Sequence, residues 1–319
     1  MDTIYFLVQQ MMFFSIPLMV VALGGMFSER SGVVNIALEG IMVMGAFCSI
    51  LLINKLQGTM GGQGLLLLAI LIAAGSGLVF SLLHAYAAIN LKADQTISGT
   101  ALNMVAPAIA IYAARSLQDN GVQQVQFINT FRIEKVPVLG DIPVLGPLLF
   151  QNTYITTYIG FAILIIAAFV LYKTKFGLRL RACGEHPQAA DSVGVNVYKI
   201  RYSGVMISGA LAGLGGLIFV VPTSTNFNAT VSGYGFLALA VLIFGQWKPL
   251  RILFAAFFFG LMKTIASAYS GIPILMSLGI PSDIYKMVPF IATLVVLAFS
   301  SKNSQAPRAS GIPYDKGGR

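Results

Sequence analysis

Long apolar stretches separated by short polar segments dominate the pattern along this chain. They show no alternation of apolar and polar residues in segments of about ten, as barrel strands would, so we expect helices, which satisfy their own backbone hydrogen bonds in lipid. The runs cover residues 4–26, 34–54, 64–90, 97–117, 153–172, 201–221, 234–246, 252–270 and 284–300. The run 234–246 is too short to cross a bilayer at about 1.5 Å per residue, so it either begins earlier or is a half-helix. The pattern predicts an all-α polytopic membrane protein with about nine transmembrane helices, in a range of about eight to ten.

The composition excludes several other classes of protein. Apolar residues make up 57% of the 319 residues and charged residues 10%, whereas soluble domains have about 25% charged residues. A soluble enzyme and a disordered chain are therefore excluded. The net charge of +9 does not indicate nucleic-acid binding, because the basic residues are too dilute to line a groove. Cys48 and Cys183 lie far apart and form no metal-binding or disulfide pattern.

The distribution of basic residues predicts the orientation of the chain. They crowd the segment between the fifth and sixth runs, at Lys173, Lys175, Arg179, Arg181, Lys199 and Arg201. This segment is cytoplasmic by the positive-inside rule, which places the N-terminus outside, the C-terminus inside and the loop 118–152 outside. Two Pro-Val-Leu-Gly repeats in that loop favour a paired turn or hairpin. Residues 1–300 then form a transmembrane domain, and residues 301–319, rich in Ser, Pro, Gly and charge, predict a disordered cytoplasmic tail.

Small residues recur at helical spacing in the sixth run. Gly204, Ser208, Ala212 and Gly216 form one stripe, and Gly209 and Gly213 lie beside it. Such stripes let helices approach closely in lipid. We favour close helix packing; the alternative is a hinge or the wall of a pathway.

The basic segment contains a short helix of its own. Pro187 suits the first position of a helix and Gly194 the position just past its end. Between them Ala189, Ala190 and Val193 form a small apolar face. A helix of this kind between two spans is a candidate docking element; the alternative is a solvated basic loop that only sets the topology.

This segment resembles the permease subunits of ABC importers, and more narrowly the branched-chain amino acid/ribose permease family. The resemblance rests on Phe-Gly-x-x-x-Arg-Ala-x-Gly-Glu-x-x-x-Ala-Ala-x-x-x-Gly-Val over 176–195, and on stretches 31–47 and 236–260. In that family the segment is the coupling helix, which inserts into a cleft of the ATPase subunit. The resemblance implies that coupling involves residues of 184–194 and two preceding arginines, namely Gly184, Glu185, Ala189, Ala190, Gly194, Arg179 and Arg181.

The stretch 28–40, Ser-Glu-Arg-Ser-Gly-Val-Val-Asn-Ile-Ala-Leu-Glu-Gly, is similar to the nucleoside branch of the family. The resemblance implies a bacterial plasma-membrane importer of nucleosides with three partners: an ATPase that holds ATP and magnesium, a second and different permease chain, and an extracellular lipoprotein that delivers substrate. This chain has no P-loop and is expected to bind no cofactor. Ribose or branched-chain amino acids are alternative substrates within the family, and an ion-coupled secondary carrier is an alternative outside it.

No catalytic or metal-binding constellation occurs, so the candidate site residues are those of a pathway. Glu39 and Lys263 are the charges deepest in apolar runs, and such residues are functional candidates because their burial is costly. For Glu39 the structural alternative is pairing with Arg30 or bonding the nearby glycine turn, and Lys263 either snorkels or pairs with Glu39. His84, near the inner end of the third run, is assigned to an interfacial or packing role. A passage for nucleosides needs aromatic, amide and hydroxyl groups, for which the candidates are Asn103, Thr223, Asn226, Asn228, Tyr234 and Phe236.

Overall fold

The computed structural model describes residues 2–118, 121–128, 130–268, 281–300 and 305–316. Its helices are α1 (Asp2–Arg30), α2 (Leu38–Leu56), α3 (Gly62–Ile89), α4 (Gln95–Leu117), α5 (Ile155–Lys173), α6 (Lys175–Glu185), α7 (Pro187–Ser192), α8 (Val197–Thr223), α9 (Tyr234–Phe244), α10 (Pro249–Ala268) and α11 (Ser282–Ser300). Four short strands are β1 (Val125–Gln126), β2 (Ile133–Lys135), β3 (Gln151–Thr153) and β4 (Asn226–Phe227). The prediction of an all-α polytopic membrane protein is confirmed.

The helix lengths decide between the two alternatives for the short apolar run 234–246. Among the described residues, seven helices are long and apolar enough to cross a membrane: α1, α2, α3, α4, α5, α8 and α10. Helix α9 has only 11 residues and spans about 16 Å, so the run 234–246 is a half-helix. Helix α11 has 19 residues.

The bundle has two ends, which we name from their contents. The basic end carries the end of α1, the start of α8, helices α6 and α7, and residues 305–316; Arg30 there forms an ion pair with Glu185. The strand end carries the start of α5, the end of α8 and the four strands, where β1 pairs antiparallel with β4 and β2 with β3. The β2–β3 pair encloses the two Pro-Val-Leu-Gly repeats and confirms a paired arrangement in that loop.

Helix α8 lies at the centre of the bundle, against α1, α2 and α3. Its small residues permit close approach: a Cβ at Gly216 would overlap the carbonyl of Met42 in α2, and one at Gly213 would overlap the carbonyl of Ala73 in α3. Gly204 similarly faces Ser31, which follows α1. The stripe therefore serves close packing, as we favoured.

The two halves of the chain begin in the same way but run in opposite directions. After α1 reaches the basic end, residues 31–37 turn back into the bundle without helical structure, and α2 starts inside. After α8 reaches the strand end, residues 224–233 turn back in the same manner and α9 starts inside. Non-helical backbone of this kind is tolerated at membrane depth only where protein surrounds it. The sequence reading did not predict this pairing of two re-entrant segments.

The described part of the predicted tail makes specific contacts with the bundle. Residues 305–316 lie across the basic end, where the Ala309 N–H donates to the Gly184 carbonyl at 2.8 Å and the Gly311 N–H to the Gly32 carbonyl at 3.3 Å. Tyr314 is buried, and its ring meets the Tyr198 ring edge to face. The polar composition concealed these contacts, which come from a few apolar and backbone groups.

Replacing Gly77 by alanine should destabilise the protein, whereas the same change at Gly75 should not. A Cβ at Gly77 would overlap the backbone of Gly209 and Gly213 in α8, while one at Gly75 meets open space. Because overpacking costs about 1–3 kcal/mol, we expect Gly77→Ala to lower the melting temperature in detergent and Gly75→Ala to leave it unchanged or slightly raised. Thermal unfolding followed by size-exclusion chromatography measures both, and equal melting temperatures would contradict the close packing.

Candidate functional site

The segment 174–194 forms two short helices at the basic end. The Thr174 side chain caps α6 by accepting a hydrogen bond from the Gly177 N–H at 3.1 Å. Pro187 occupies the start of α7, and Gly194 follows its end with φ +83°, a left-handed conformation that suits glycine. The predicted short helix between Pro187 and Gly194 is confirmed.

The apolar face predicted for α7 is divided between two environments. Ala190 is buried with Cys183, Val197 and Tyr314, whereas Ala189 and Val193 are exposed. Ala190 therefore lies beneath Tyr314 rather than on the exposed face of α7, and its part in ATPase coupling stays a prediction. Only Ala189 and Val193 remain free for a partner among the three apolar residues.

Gly184 and Cys183 also belong to the internal side of α6. A Cβ at Gly184 would overlap the Arg30 carbonyl, so this glycine allows α6 to lie directly against the end of α1. Burial raises the pKa of the Cys183 thiol to about 11, so the thiol is protonated and inert at neutral pH.

The charged residues of the segment have distinct surroundings. The Glu185 carboxylate is 3.8 Å from Arg30 Nη1, and 41% of its side chain is exposed. The Arg181 guanidinium lies 5.6 Å from the centre of the Tyr172 ring, while Arg179 is exposed. Since α6 and α7 present Arg179, Glu185, Ala189 and Val193 outward, this surface offers charge and a small apolar patch to a partner.

Arg30 connects this segment to the turn after α9. Its Nη2 donates to the Trp247 carbonyl at 3.1 Å. The Trp247 indole N–H donates in turn to the buried Glu29 carboxylate at 2.6 Å. The end of α1 thus holds the turn between α9 and α10 through both its charged residues.

Glu39 lies inside the bundle and closes the start of α9. Its two carboxylate oxygens accept hydrogen bonds from the Gly233 N–H at 2.8 Å and the Gly235 N–H at 2.6 Å. Helix starts leave N–H groups unpaired, and a carboxylate there is favoured by the helix dipole. Within the described part of the chain, Glu39 forms no ion pair with Arg30 or Lys263. A structural role was the favoured alternative for Glu39. Its hydrogen-bond partners, however, are in the distant turn at Gly233 and Gly235, not in the glycine turn that precedes it in the sequence.

Asn103 and His84 hold the first re-entrant segment in place. The Asn103 side chain accepts from the Gly40 N–H at 2.7 Å and donates to the Ile36 carbonyl at 2.8 Å. His84 Nε2 lies 2.8 Å from the Val34 carbonyl. Asn103 is eight residues past the start of α4, about 12 Å along the helix, so Glu39 lies deeper in the bundle than its position at the start of an apolar run indicated.

A cavity of about 400 Å³ lies between α9, α10 and α11. Ligand pockets typically measure about 300–1,000 Å³. The residues that carry rings, hydroxyls or charge on its wall are Ser232, Tyr234, Phe236, Lys263, Phe290 and Thr293. Two pathway candidates, Tyr234 and Phe236, are among them. Lys263 had been noted as a functional candidate for its charge alone. Ser232, Phe290 and Thr293 were not proposed, because the sequence pattern does not distinguish a cavity residue from one that faces lipid.

The remaining pathway candidates lie outside this cavity. Thr223 is the last residue of α8, and its hydroxyl donates to the Phe219 carbonyl of the same helix at 2.6 Å. Asn226 lies in β4, where its side chain is 3.3 Å from Ser224 Oγ, and Asn228 is exposed beyond it. The structure therefore divides the candidates into a strand-end group, a cavity group, and Glu39 and Asn103, which hold the re-entrant segments.

Tyr234 and Lys263 give the cavity its polar character. The Tyr234 ring packs on Phe219 with centroids 3.9 Å apart, and its buried hydroxyl has no hydrogen-bond partner among the described residues. Lys263 Nζ lies 5.9 Å from the centre of the Tyr234 ring. Rings, hydroxyls and one amine around an apolar space suit an aromatic ligand that accepts hydrogen bonds. The described residues contain no cluster able to hold a metal ion.

Comparison with known proteins gives a consistent assignment. Residues 7–297 match the family described as branched-chain amino acid transport system, permease component. The guanosine ABC transporter permease protein NupQ of Bacillus subtilis (strain 168) is 45% identical over 307 residues, covering 96% of this chain and 95% of the relative. The nucleoside ABC transporter permease protein NupC of Lactococcus lactis subsp. cremoris (strain MG1363) is 41% identical over 316 residues, covering 99% and 98%.

A second permease of the same Lactococcus strain is more distant. The nucleoside ABC transporter permease protein NupB is 26% identical over 320 residues, covering 94% of this chain and 83% of the relative. No solved structure matches this chain. The chain belongs to the branched-chain amino acid transport system permease family, and it is a multi-pass translocation subunit of an ABC transporter rather than an enzyme.

Proposed function

We propose that this chain is one permease subunit of an ATP-driven importer of nucleosides. The observation that carries the proposal is the match over nearly the whole of both chains to two permeases named for guanosine and nucleosides. The cavity supports the same conclusion, because a nucleoside combines a stackable base with hydrogen-bond acceptors and carries no fixed charge.

The orientation in the bacterial plasma membrane follows from the basic end. Arg30, Arg179, Arg181 and Lys199 lie there, which favours the cytoplasmic side under the positive-inside rule. The N-terminus then lies outside and residues 305–316 lie inside. The strand end faces the extracellular lipoprotein that delivers the nucleoside.

The surface of α6 and α7 is the docking site for the cytoplasmic ATPase, which holds ATP and magnesium. Arg179, Glu185, Ala189 and Val193 are accessible there, whereas Gly184 and Ala190 hold the segment against the bundle. Arg181 supports the segment through Tyr172, and Gly194 permits its final turn. A second, different permease chain completes the transporter, as the NupB and NupC names in one organism suggest.

An ion-coupled secondary carrier is less consistent with the contacts of Glu39. Such a carrier needs a carboxylate in the bundle that is free to bind and release an ion. Both Glu39 oxygens already accept backbone hydrogen bonds at the start of α9. This carboxylate is therefore committed to structure.

Deleting the gene for this chain should abolish accumulation of nucleosides and leave leucine and ribose uptake unchanged. Cells with and without the gene are given radiolabelled guanosine, adenosine, uridine, leucine and ribose. We expect the loss of at least one labelled nucleoside, because the relatives transport this class by name. A fall in leucine or ribose uptake with unchanged nucleoside uptake would overturn the substrate assignment.

Introducing a charge on the exposed face of α7 should prevent ATPase binding without unfolding the permease. Ala189→Arg is exposed and has room for the new side chain, so we expect loss of ATPase co-purification and of uptake, with an unchanged melting temperature. Val122→Arg, exposed at the strand end, is the matched control and should retain both. Normal ATPase recovery with Ala189→Arg would contradict this docking site.

Removing an aromatic ring from the cavity should weaken transport without affecting assembly. Phe236 is half exposed on the cavity wall, and stacking a base on an aromatic side chain is worth about 1–3 kcal/mol. We therefore expect Phe236→Ala to lower nucleoside uptake at limiting substrate by about 5- to 160-fold. Phe254→Ala is the control, because Phe254 is exposed on α10 away from the cavity. Equal uptake by both variants would exclude Phe236 from the pathway.

A further inference from the structure

Helix α9 lies between the cavity and the turn at Trp247, which Arg30 links to the proposed ATPase docking surface. One end of it is Tyr234, and Tyr234, Phe236, Leu237 and Ala240 form much of the cavity wall. The other end runs into Trp247, whose carbonyl accepts from Arg30. The helix has 11 residues, so about 16 Å separate its cavity end at Tyr234 from the end that leads to Trp247.

Both ends of α9 are flanked by unusual backbone conformations. Gln246 and Trp247 have φ of 52° and 51°, and before the helix Ala229 and Ser232 have φ of 54° and 55°. Left-handed conformations are uncommon outside glycine and are costly for a bulky residue such as tryptophan. Hinges are short segments that absorb changes in backbone angles. The two segments that flank α9 are therefore candidate hinges.

The strained turn at Trp247 is held from the end of α1. The indole N–H donates to Glu29 at 2.6 Å and the carbonyl accepts from Arg30 at 3.1 Å. The same Arg30 guanidinium lies 3.8 Å from Glu185, immediately before α7. A displacement of α7 therefore changes the environment of Arg30, whose guanidinium bonds the Trp247 carbonyl.

We propose that Arg30 and Trp247 are positioning residues that transmit movement of the docked ATPase to the cavity by displacing α9. The inference rests on the proposed importer function. In this arrangement Glu185 moves with α7, Arg30 follows its ion-pair partner, and the turn at Trp247 shifts the basic end of α9. The wall that carries Tyr234 and Phe236 then moves relative to α10 and α11 and changes access to the cavity.

The test measures movement, hydrolysis and transport separately in the complete transporter. Spin labels are attached at Ile243→Cys, a half-buried residue at the Trp247 end of α9, and at Ile128→Cys, which is exposed at the strand end. Cys48 is replaced by serine, while the buried Cys183 stays unreactive. Electron–electron distances are recorded in nanodiscs without nucleotide and after trapping with ATP and vanadate, alongside ATPase rates and uptake of labelled guanosine by proteoliposomes.

We expect the parent complex to show a nucleotide-dependent change in distance and Arg30→Gln to lose it. Guanosine uptake by Arg30→Gln should fall at least tenfold while ATPase recovery and hydrolysis stay within about twofold of the parent. A purely structural role for Arg30 would instead lower assembly and hydrolysis together with uptake. Arg251→Gln is the matched control, since Arg251 is an exposed basic residue on α10 close to the same turn, and it should behave like the parent.

Trp247→Phe and Glu185→Gln keep the inference testable if Arg30→Gln does not assemble. The first keeps the ring but removes the donor to Glu29, and the second removes the ion pair with Arg30; each should reduce the distance change. An undiminished change in every assembled variant, or no change in the parent, would overturn the inference. A parent that shows the change but transports no nucleoside would instead overturn the substrate assignment alone.

Discussion

The arrangement of this protein depends on the hydrogen bonds that Glu39 accepts at the start of α9. A helix that begins inside a membrane protein exposes N–H groups that lipid cannot satisfy, and α9 begins at Tyr234 in the interior. Glu39 accepts from Gly233 and Gly235 at that point. Because Glu39 is itself in the first turn of α2, the interaction joins the starts of two helices that run toward opposite ends of the bundle.

Glycine makes this junction possible. A Cβ at Gly235 would overlap the backbone of Glu39, and a Cβ at Gly40 would overlap that of Leu102. The same requirement extends along α8, where Gly213 and Gly216 bring α3 and α2 to backbone contact. Because the small residues of the α8 stripe allow this close approach, the re-entrant segments remain surrounded by protein.

Local features of the chain were predictable from its sequence, whereas long-range contacts were not. Pro187 and Gly194 fixed the bounds of α7 because both act through their own backbone angles. The length of the run 234–246 made a half-helix one of two alternatives. The role of Glu39 could not be identified in full, since its hydrogen-bond partners lie 194 and 196 residues away.

The same reasoning explains two features of the structure that the composition did not indicate. Ala190 looked available for docking because α7 is polar and lies in a loop, but Tyr314 covers it from the far end of the chain. The tail looked disordered because charge, proline and glycine dominate it. Its order depends on backbone bonds to Gly32 and Gly184 and on a buried ring, which composition does not reveal. The cavity was only partly identified. Lys263 of α10 and Thr293 of α11 share its wall with Tyr234 only because the helices pack together.

The position of the cap on a neighbouring helix has a mechanical consequence. When the residue just before a helix supplies the capping group, helix and cap move together and the capping hydrogen bond is kept. The capping group of α9 belongs instead to another helix, because Glu39 lies in α2. Any displacement of α9 must either carry α2 with it or stretch two hydrogen bonds to a carboxylate, which are among the stronger ones in proteins. The start of α9 is therefore tied to α2, whereas the turn at Trp247 is bonded through Glu29 and Arg30. Because Arg30 also pairs with Glu185 of α6, the turn is the end that movement of the docking segment reaches first. Motion of α9 should accordingly be a tilt about Glu39, which alters the cavity wall without exposing unpaired backbone groups inside the membrane.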